Sequence, residues 1–241
     1  MSVHQRIAIT GASGLIGTAL VGHLKAEGHT VQRLVRRAPV GADEVQWDPQ
    51  TGFVDLEPLR GVDAVIHLAG VGVGDKRWSK KYKSEILNSR LLGTTAIANA
   101  VTELKPQVFI SASAIGWYGE SGNRAVVETD RVGDDFLAAV CREWEAAADL
   151  AQDVRTVKIR TGLVLDPTGG ALGKMLPLFR LGLGGKLGNG KQWWSWITLH
   201  DQLRAIIFAL ENPISGPVNL TAPNPVTNQE FTAALARAMH R

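Results

Sequence analysis

The sequence predicts an α/β protein, a doubly wound parallel sheet that carries a small C-terminal lobe. Three observations lead there. Short β-rich runs alternate with helical patterns through the first part of the chain, which implies parallel strands joined by right-handed crossovers. The first such run ends in glycines with the spacing G-x-x-G-x-x-G, immediately before a helical pattern. The length of 241 residues suits one such domain with a small addition.

The elements follow in order. Arg6 to Thr10 reads as a buried strand, and Leu15 to Glu27 as a helix that stops at Gly28. His29 to Arg36 and Val62 to Leu68 are the next strands, the latter bounded by Gly61 and Gly70. Lys83 to Leu104 is a long helix closed by Pro106, Gln107 to Ser113 a strand, Asp134 to Ala151 a helix and Thr156 to Leu165 a strand. After Asp166 the character changes. Residues 167–190 are glycine-rich, with one helical piece around Leu172 to Leu181, and Gln192 to Trp196 holds three of the seven tryptophans. A helix, His200 to Glu211, and a strand, Pro217 to Thr221, then return, and Thr227 with Glu230 forms a capping box for a last helix. The expected division is a sheet domain over residues 1–166, completed by 201–221, and a substrate lobe from 167–200 and 222–241.

Composition excludes several classes. The net charge of +3 is that of an ordinary surface that weakly favours anionic ligands, and no long basic run points to nucleic acid. No apolar stretch is long enough to span a bilayer, and the start of the chain runs into a strand with no leader pattern. The one cysteine, Cys141, cannot form an internal disulfide and fits a reducing compartment. The cytoplasm is the expected location. No His/Cys/Asp cluster has the spacing of a metal site.

The glycine loop, TGASGLIG at 10–17, has a specific physical reading. Gly11 permits a tight turn off the strand, Gly14 lets backbone approach a diphosphate, and Gly17 lets helix and strand pack closely. Ser13, Leu15 and Ile16 complete the loop, and the helix start offers free N–H groups and a positive dipole end. This is a Rossmann-type dinucleotide site. The second strand ends Leu34-Val35-Arg36-Arg37, without the acid that would hold a ribose 2′-hydroxyl. A guanidinium binds a 2′-phosphate with forked hydrogen bonds. The expected cofactor is therefore NADP(H), with Arg36 the main contact and Arg37 a second.

TGASGLIG, DAVIHLAG at 63–70, SRLLGTT at 89–95 and SASAIGWYG at 111–119 resemble the successive landmarks of extended short-chain dehydrogenases/reductases. More narrowly, RWSKKYKSEILNSR, CREWEAAA, RTGLVL, FRLGLGG, GKQWWSWI and NLTAPNPVTNQEF resemble the YfcH-type group, regarded as nucleoside-diphosphate-sugar epimerases within the NAD-dependent epimerase/dehydratase family. The resemblance implies that Leu68, Ala69 and Gly70 line the adenine-ribose side of the cofactor, that Glu85 and Arg90 contact it, and that Val164 lies near the nicotinamide. Leu68 and Val164 read equally well as plain core. Arg90 needs a partner if buried; Glu85, five residues earlier, is not at helix-pairing spacing, and a cofactor phosphate or ribose is an alternative. The resemblance also implies further sequence after the last helical pattern, completing the substrate lobe.

Catalysis in this superfamily rests on Ser, Tyr and Lys, with the last two spaced Tyr-x-x-x-Lys. Neither Tyr82 nor Tyr118 has a lysine four residues on, and counting back from Glu145 the expected slots hold Leu137 and Cys141. Ser113 matches the superfamily's serine position and is a candidate hydrogen-bond donor to substrate. Tyr118 is the better-placed phenol, for acid–base duty or for packing. Where the group commonly has Trp-Ile-His-x-x-Asp, this chain has Thr198, with His200 two places later and Asp201 retained. Gln192, Trp193 and Trp196 read as an aromatic wall over a substrate or as lobe core, and His67 as a satisfied core residue. Two functions remain: an NADP(H)-dependent oxidoreductase or epimerase acting on a small carbonyl or nucleotide-sugar-like substrate, and a catalytically silent NADP(H)-responsive binding protein. A homodimer is open in either case.

Overall fold

The computed structural model describes residues 4–240; residues 1–3, where the absence of a leader pattern was read, and Arg241 lie outside the described residues. The chain runs β1 (Arg6–Thr10), α1 (Leu15–Ala26), β2 (Thr30–Val35), β3 (Glu44–Asp48), β4 (Phe53–Val54), β5 (Ala64–His67), α2 (Lys80–Leu104), β6 (Val108–Ala114), α3 (Phe136–Ala148), β7 (Arg155–Thr161), β8 (Leu163–Asp166), α4 (Gly170–Arg180), β9 (Trp193–Trp194), β10 (Trp196–Thr198), α5 (Leu199–Glu211), β11 (Gly216–Leu220), β12 (Val226–Thr227) and α6 (Asn228–Ala238). Eight strands form one sheet in the order β11-β7-β6-β5-β1-β2-β3-β4. All its pairings are parallel except β3 with β4. From β1 the chain builds outward through β2 and β3; it then returns to β5 on the other side of β1 and builds outward again. The carboxyl ends of β1 and β5 therefore flank the topological switch point, where open α/β sheets leave a crevice.

Strand alternation divides the core between the two faces. Ile7, Ile9, Ile66, Ile110 and Ile159 pack with Leu20 of α1 and Ile206 of α5. Ala8, Val65 and Phe109 pack with Ile97 and Val101 of α2 and Ala148 of α3. The helix starts are set by side-chain caps. Ser79 accepts from Tyr82 N, so α2 opens three residues before the expected Lys83. Asp135 caps α3 and Thr198 caps α5. The capping box of Thr227 and Glu230 is present at α6.

Two strand expectations are corrected. The sequence between Arg37 and Val62 contains β3 and β4. Their signal was the buried pair Val45 and Trp47 on either side of exposed Gln46, a strand alternation too short to stand out among prolines and acids. The run expected as one strand from Thr156 to Leu165 is two, broken at Gly162. There the chain changes partner: Gly162 N donates to Leu220 O of β11, and Leu163 N donates to Ser195 O beside β10. β8 then pairs in parallel with β10, and the short β9 and β12 pair antiparallel. A Cβ at Gly162 would lie 2.4 Å from Ser195 O and 2.9 Å from Thr221 Cγ2. Gly162→Ala must force these segments apart, and it is expected to destabilise the protein by about 1–3 kcal/mol, read as a lower urea midpoint with an unchanged slope.

Candidate functional site

A cavity of about 1080 Å³ opens at the carboxyl ends of β1, β2 and β5. Its floor is the turn from β1 to α1. Gly11 has φ +68, and a Cβ on it would lie 2.8 Å from Leu68 C. A Cβ on Gly17 would lie 2.1 Å from Gly11 O. Both positions admit only glycine. Gly14 differs: a Cβ there would meet nothing nearer than Gly11 O at 3.4 Å, so the space it would fill belongs to the cleft that Gly14 lines. Gly14 is also the N-cap of α1, with no side-chain cap and no acid in the first turn. The first-turn amides of α1 are therefore free to meet an anion. Ser13 lines the cleft beside them. The side chains of Leu15 and Ile16 turn elsewhere, Leu15 onto Gly169 and Gly170 and Ile16 into the core.

The opposite wall carries the charge. Arg36 is exposed, lines the cleft, and makes no ion pair among the described residues. Arg37 also lines the cleft, but its fork is held by Glu44, with Nη1 to Oε2 at 2.7 Å and Nη2 to Oε1 at 2.6 Å. Arg33 Nη2 approaches the same carboxylate at 3.1 Å, and Val40 N donates to it at 2.9 Å. Hydrogen bonding from Arg37, then from the Val40 amide, pulls the Glu44 carboxyl down to about 2. The sequence showed no acid after β2. The parallel register, Arg33 opposite Glu44, brings one in from β3, already matched by guanidinium.

The β5 end supplies the third wall, through Leu68, Ala69 and Gly70. Thr10 Oγ1 accepts from Leu68 N at 3.1 Å and Ala69 N at 3.3 Å, so its own proton goes to His67 Nδ1 at 2.7 Å. His67 then carries its proton on Nε2 and packs edge-on to Trp47, with ring centroids 6.0 Å apart. Burial pushes His67 down to about 3, so it stays neutral. Leu68 both lines the cleft and packs on the core, whereas Val164 packs on the core and is not among the cleft-lining residues. On α2, Glu85 lines the cleft with Lys76 Nζ 3.6 Å away. Arg90 does not pair with it. Its Nη1 donates to Val71 O at 2.9 Å and Ile86 O at 3.0 Å.

Ser113 and Tyr118 come together in a buried network that sequence reasoning missed. Arg160, 2% exposed, grips Glu145, 4% exposed, with Nε to Oε1 at 2.8 Å and Nη2 to Oε2 at 2.9 Å. Ser113 Oγ donates to Glu145 Oε1 at 2.7 Å. Arg160 Nη1 donates to Tyr118 Oη and Glu128 O, both at 3.0 Å, and Tyr118 Oη donates to Asn219 Oδ1 at 2.6 Å. The Trp117 ring lies 4.0 Å from the guanidinium carbon. Each hydroxyl thus gives its one proton to a protein acceptor. The Tyr and Lys slots are apolar: a Cβ on Gly116 would lie 3.3 Å from Leu137 Cβ and 3.5 Å from Cys141 Sγ, and burial pushes the Cys141 thiol up to about 11. Only Arg160 in RTGLVL and Glu145 in CREWEAAA signalled the network, and neither announces its partner.

In the C-terminal elements, Trp193 Nε1 donates to Asn123 Oδ1, Trp196 Nε1 to Asn224 O, and Gln192 Nε2 to Leu187 O. Thr198, where the resembling group has histidine, is spent on capping: it accepts from Asp201 N and donates to Asp201 Oδ2. Among the described residues no group of three or more His, Cys, Asp or Glu could hold a metal. Among the described residues no helix is long and apolar enough to cross a membrane.

The profile of the NAD dependent epimerase/dehydratase family matches residues 7–221. The chain belongs to this family. Within it, the chain is 48% identical over 238 residues to epimerase family protein Mb2239 of Mycobacterium bovis, covering 98% of this chain and 79% of that one. The crystal structure of human epimerase family protein SDR39U1 (isoform 2) with NADPH aligns with a TM-score of 0.88 and 36% identity, covering 98% of this chain and 80% of that one. The nucleoside-diphosphate sugar epimerase from Corynebacterium glutamicum aligns with a TM-score of 0.84 and 40% identity over 98% of this chain, which spans 51% of that chain's length.

Two outcomes follow from the buried groups. An unfolded histidine titrates near 6.5 and folded His67 near 3, so between these values the unfolded state holds a proton that the folded state lacks. Stability from neutral His67 is complete above about pH 6.5 and is lost as pH falls toward 3; His67→Gln is expected to flatten this limb in urea unfolding at stepped pH. Arg160→Met strands the Glu145 carboxylate and is expected to cost about 3–5 kcal/mol by the same measurement.

Proposed function

We propose that the chain binds NADP(H) in this cleft and uses it as an oxidoreductase or epimerase on a small carbonyl or nucleotide-sugar-like substrate. One observation carries the reading: a single cleft has an uncapped helix N-terminus on its floor and an unpaired guanidinium, Arg36, on its wall. The amides of Leu15, Ile16 and Gly17, reached past Gly14, would hold the diphosphate, and Arg36 the 2′-phosphate. Arg37 would act as a second contact only through what its bond to Glu44 leaves free. Leu68, Ala69 and Gly70 would line the adenine-ribose side, with Glu85 and Arg90 contacting the cofactor and Val164 toward the nicotinamide. Bound there, the cofactor supplies or accepts hydride. The NADPH-bound structure of the human relative, 36% identical, supports this choice of nucleotide. Residues 167–200 and 222–241 would form the substrate lobe over the 1–166 and 201–221 sheet domain. The single buried cysteine suits a reducing compartment, and we assign the cytoplasm.

A second reading, a nucleotide-responsive binding protein without turnover, is favoured by one specific feature. Ser113 and Tyr118 both donate inward, to Glu145 and Asn219, and no Tyr-x-x-x-Lys pair replaces them. NADPH oxidation with a panel of carbonyl substrates separates the two readings, since turnover excludes the silent one. For the cofactor itself, calorimetry should show Arg36→Ala weakening NADPH about tenfold or more, since a bidentate charged contact contributes about 1.5–3 kcal/mol. NADH binding should barely change. Equal losses for both nucleotides would refute the assignment of Arg36.

A further inference from the structure

The segment between β5 and α2 is held in place by side chains. From Leu68 to Ser79 it contains neither strand nor helix, yet four consecutive carbonyls each accept a side-chain hydrogen bond. Val71 O accepts from Arg90 Nη1 at 2.9 Å, Gly72 O from Tyr82 Oη, Val73 O from Trp78 Nε1 at 2.8 Å and Gly74 O from Lys174 Nζ at 3.4 Å. The first three donors belong to α2 or to the residues that lead into it. The fourth comes from α4. Lys174 Nζ also meets Asp75 Oδ1 at 2.8 Å, across 99 positions of sequence. Among the described residues these two contacts of Lys174 are the only hydrogen bonds between α4 and the segment.

The same helix reaches the other side of the switch point. A Cβ on Gly169 would lie 3.2 Å from Leu15 Cδ1, and one on Gly170 3.1 Å from Leu15 Cδ2. Leu15 opens α1, and its amide is one of the free donors at the cleft floor. Facing it, Gly70, Val71, Gly72 and Asp75 line the cleft. A ligand that lies on the α1 amides and extends past Gly70 therefore runs between two walls that α4 joins. The Asp75 carboxylate folds back on the segment, so that a Cβ on Gly72 would lie 2.2 Å from its Oδ2. Alone, that negative charge on the wall repels a diphosphate; Lys174 offsets it. Both side chains are more than half exposed, and an exposed pair is weak enough to open readily. On the NADP(H) reading, on which this inference rests, we propose that Lys174 and Asp75 form a latch. Joined, they tie α4 to residues 70–75 over the bound dinucleotide; parted, they free the segment and let the nucleotide leave. The latch sets the rate of nucleotide exchange.

The test follows NADPH fluorescence in a stopped-flow instrument as excess NADP displaces it from the native chain, Lys174→Met, Asp75→Asn and the exchanged pair Asp75→Lys with Lys174→Asp. Both single variants are expected to release NADPH two- to fivefold faster. That is about 0.4–1 kcal/mol at 1.36 kcal/mol per tenfold, the range of an exposed ion pair. The exchanged pair should recover at least half of the native slowness, and the gap between native and single variants should shrink as salt screens the pair. Asp75→Asn is decisive, because loss of a carboxylate beside a diphosphate would by charge alone slow release. The latch is overturned if Asp75→Asn releases NADPH at the native rate or more slowly, or if Lys174→Met leaves the rate unchanged. Hydrogen exchange of the amides at residues 70–76 without nucleotide gives a second reading. It should rise in Lys174→Met, and exchange equal to native overturns the tie whatever NADPH does. A native chain that binds no NADPH overturns the cofactor reading and the role in release together, an outcome distinct from native binding with unaltered release in the variants.

Discussion

The turn between β1 and α1 is the constraint on which the cleft depends. Two backbones meet there with no room for a side chain: Gly17 against the carbonyl of Gly11, and Gly11 against Leu68. The first contact lets α1 lie close on the sheet, and the second lets β1 and β5 end at the same level. Thr10 then completes the join by accepting the amides of Leu68 and Ala69 while giving its proton to His67. A protonated His67 would replace that acceptor with a donor, so burial, which keeps the ring neutral, also keeps the join intact. The cavity at the switch point is a consequence of these contacts, because they fix where three loops diverge.

Charge is handled differently at four guanidiniums around this frame, and the gradation is informative. Arg160 is sealed inside with a matched carboxylate, which makes it part of the core. Arg37 is exposed but pairs with the buried carboxylate of Glu44, which offsets the negative charge that would repel a phosphate. Arg36, next to it, is left free. Arg90 is buried and left without an anion. In water a free surface arginine is ordinary; a buried one without a carboxylate is not. Arg36 lines the cleft unpaired among the described residues, and that placement, more than the net charge of the chain, makes the cleft suited to an anionic group.

What was legible in the sequence was whatever local sterics dictate. The glycine spacing, the capping box at Thr227 and the alternation of strands and helices translate directly into β1, α1, α6 and the parallel sheet. What was not legible needed a partner distant in sequence. Glu44 acquires meaning only through the register that sets it opposite Arg33. Gly162 looks like an interruption within a strand until Ser195 O is placed against it. Ser113 and Tyr118 were found as positions, but the direction of their hydrogen bonds depends on Glu145 and Asn219, residues 32 and 101 positions away. Arg160 lay in a recognisable motif, yet nothing within that motif shows that α3 supplies its carboxylate.

The direction of those hydrogen bonds also bears on chemistry. A hydroxyl polarises a substrate carbonyl by donating to it, and a phenol protonates a developing alkoxide by the same polarity. Ser113 has one proton, and it points at a carboxylate that two guanidinium nitrogens also grip. Toward any ligand it therefore presents lone pairs. Tyr118 accepts from Arg160 and donates to Asn219, which leaves its oxygen saturated on the protein side. In this arrangement the end of β6 favours ligand groups that donate, a hydroxyl or an amide N–H, over a bare carbonyl. Turnover at this cleft then requires either that the Glu145 network rearrange when substrate arrives, or that the proton come from the substrate or from a group outside the Ser–Tyr–Lys geometry. The buried ion pair makes the first route costly, since releasing Ser113 means disturbing a carboxylate that also holds Arg160 in place.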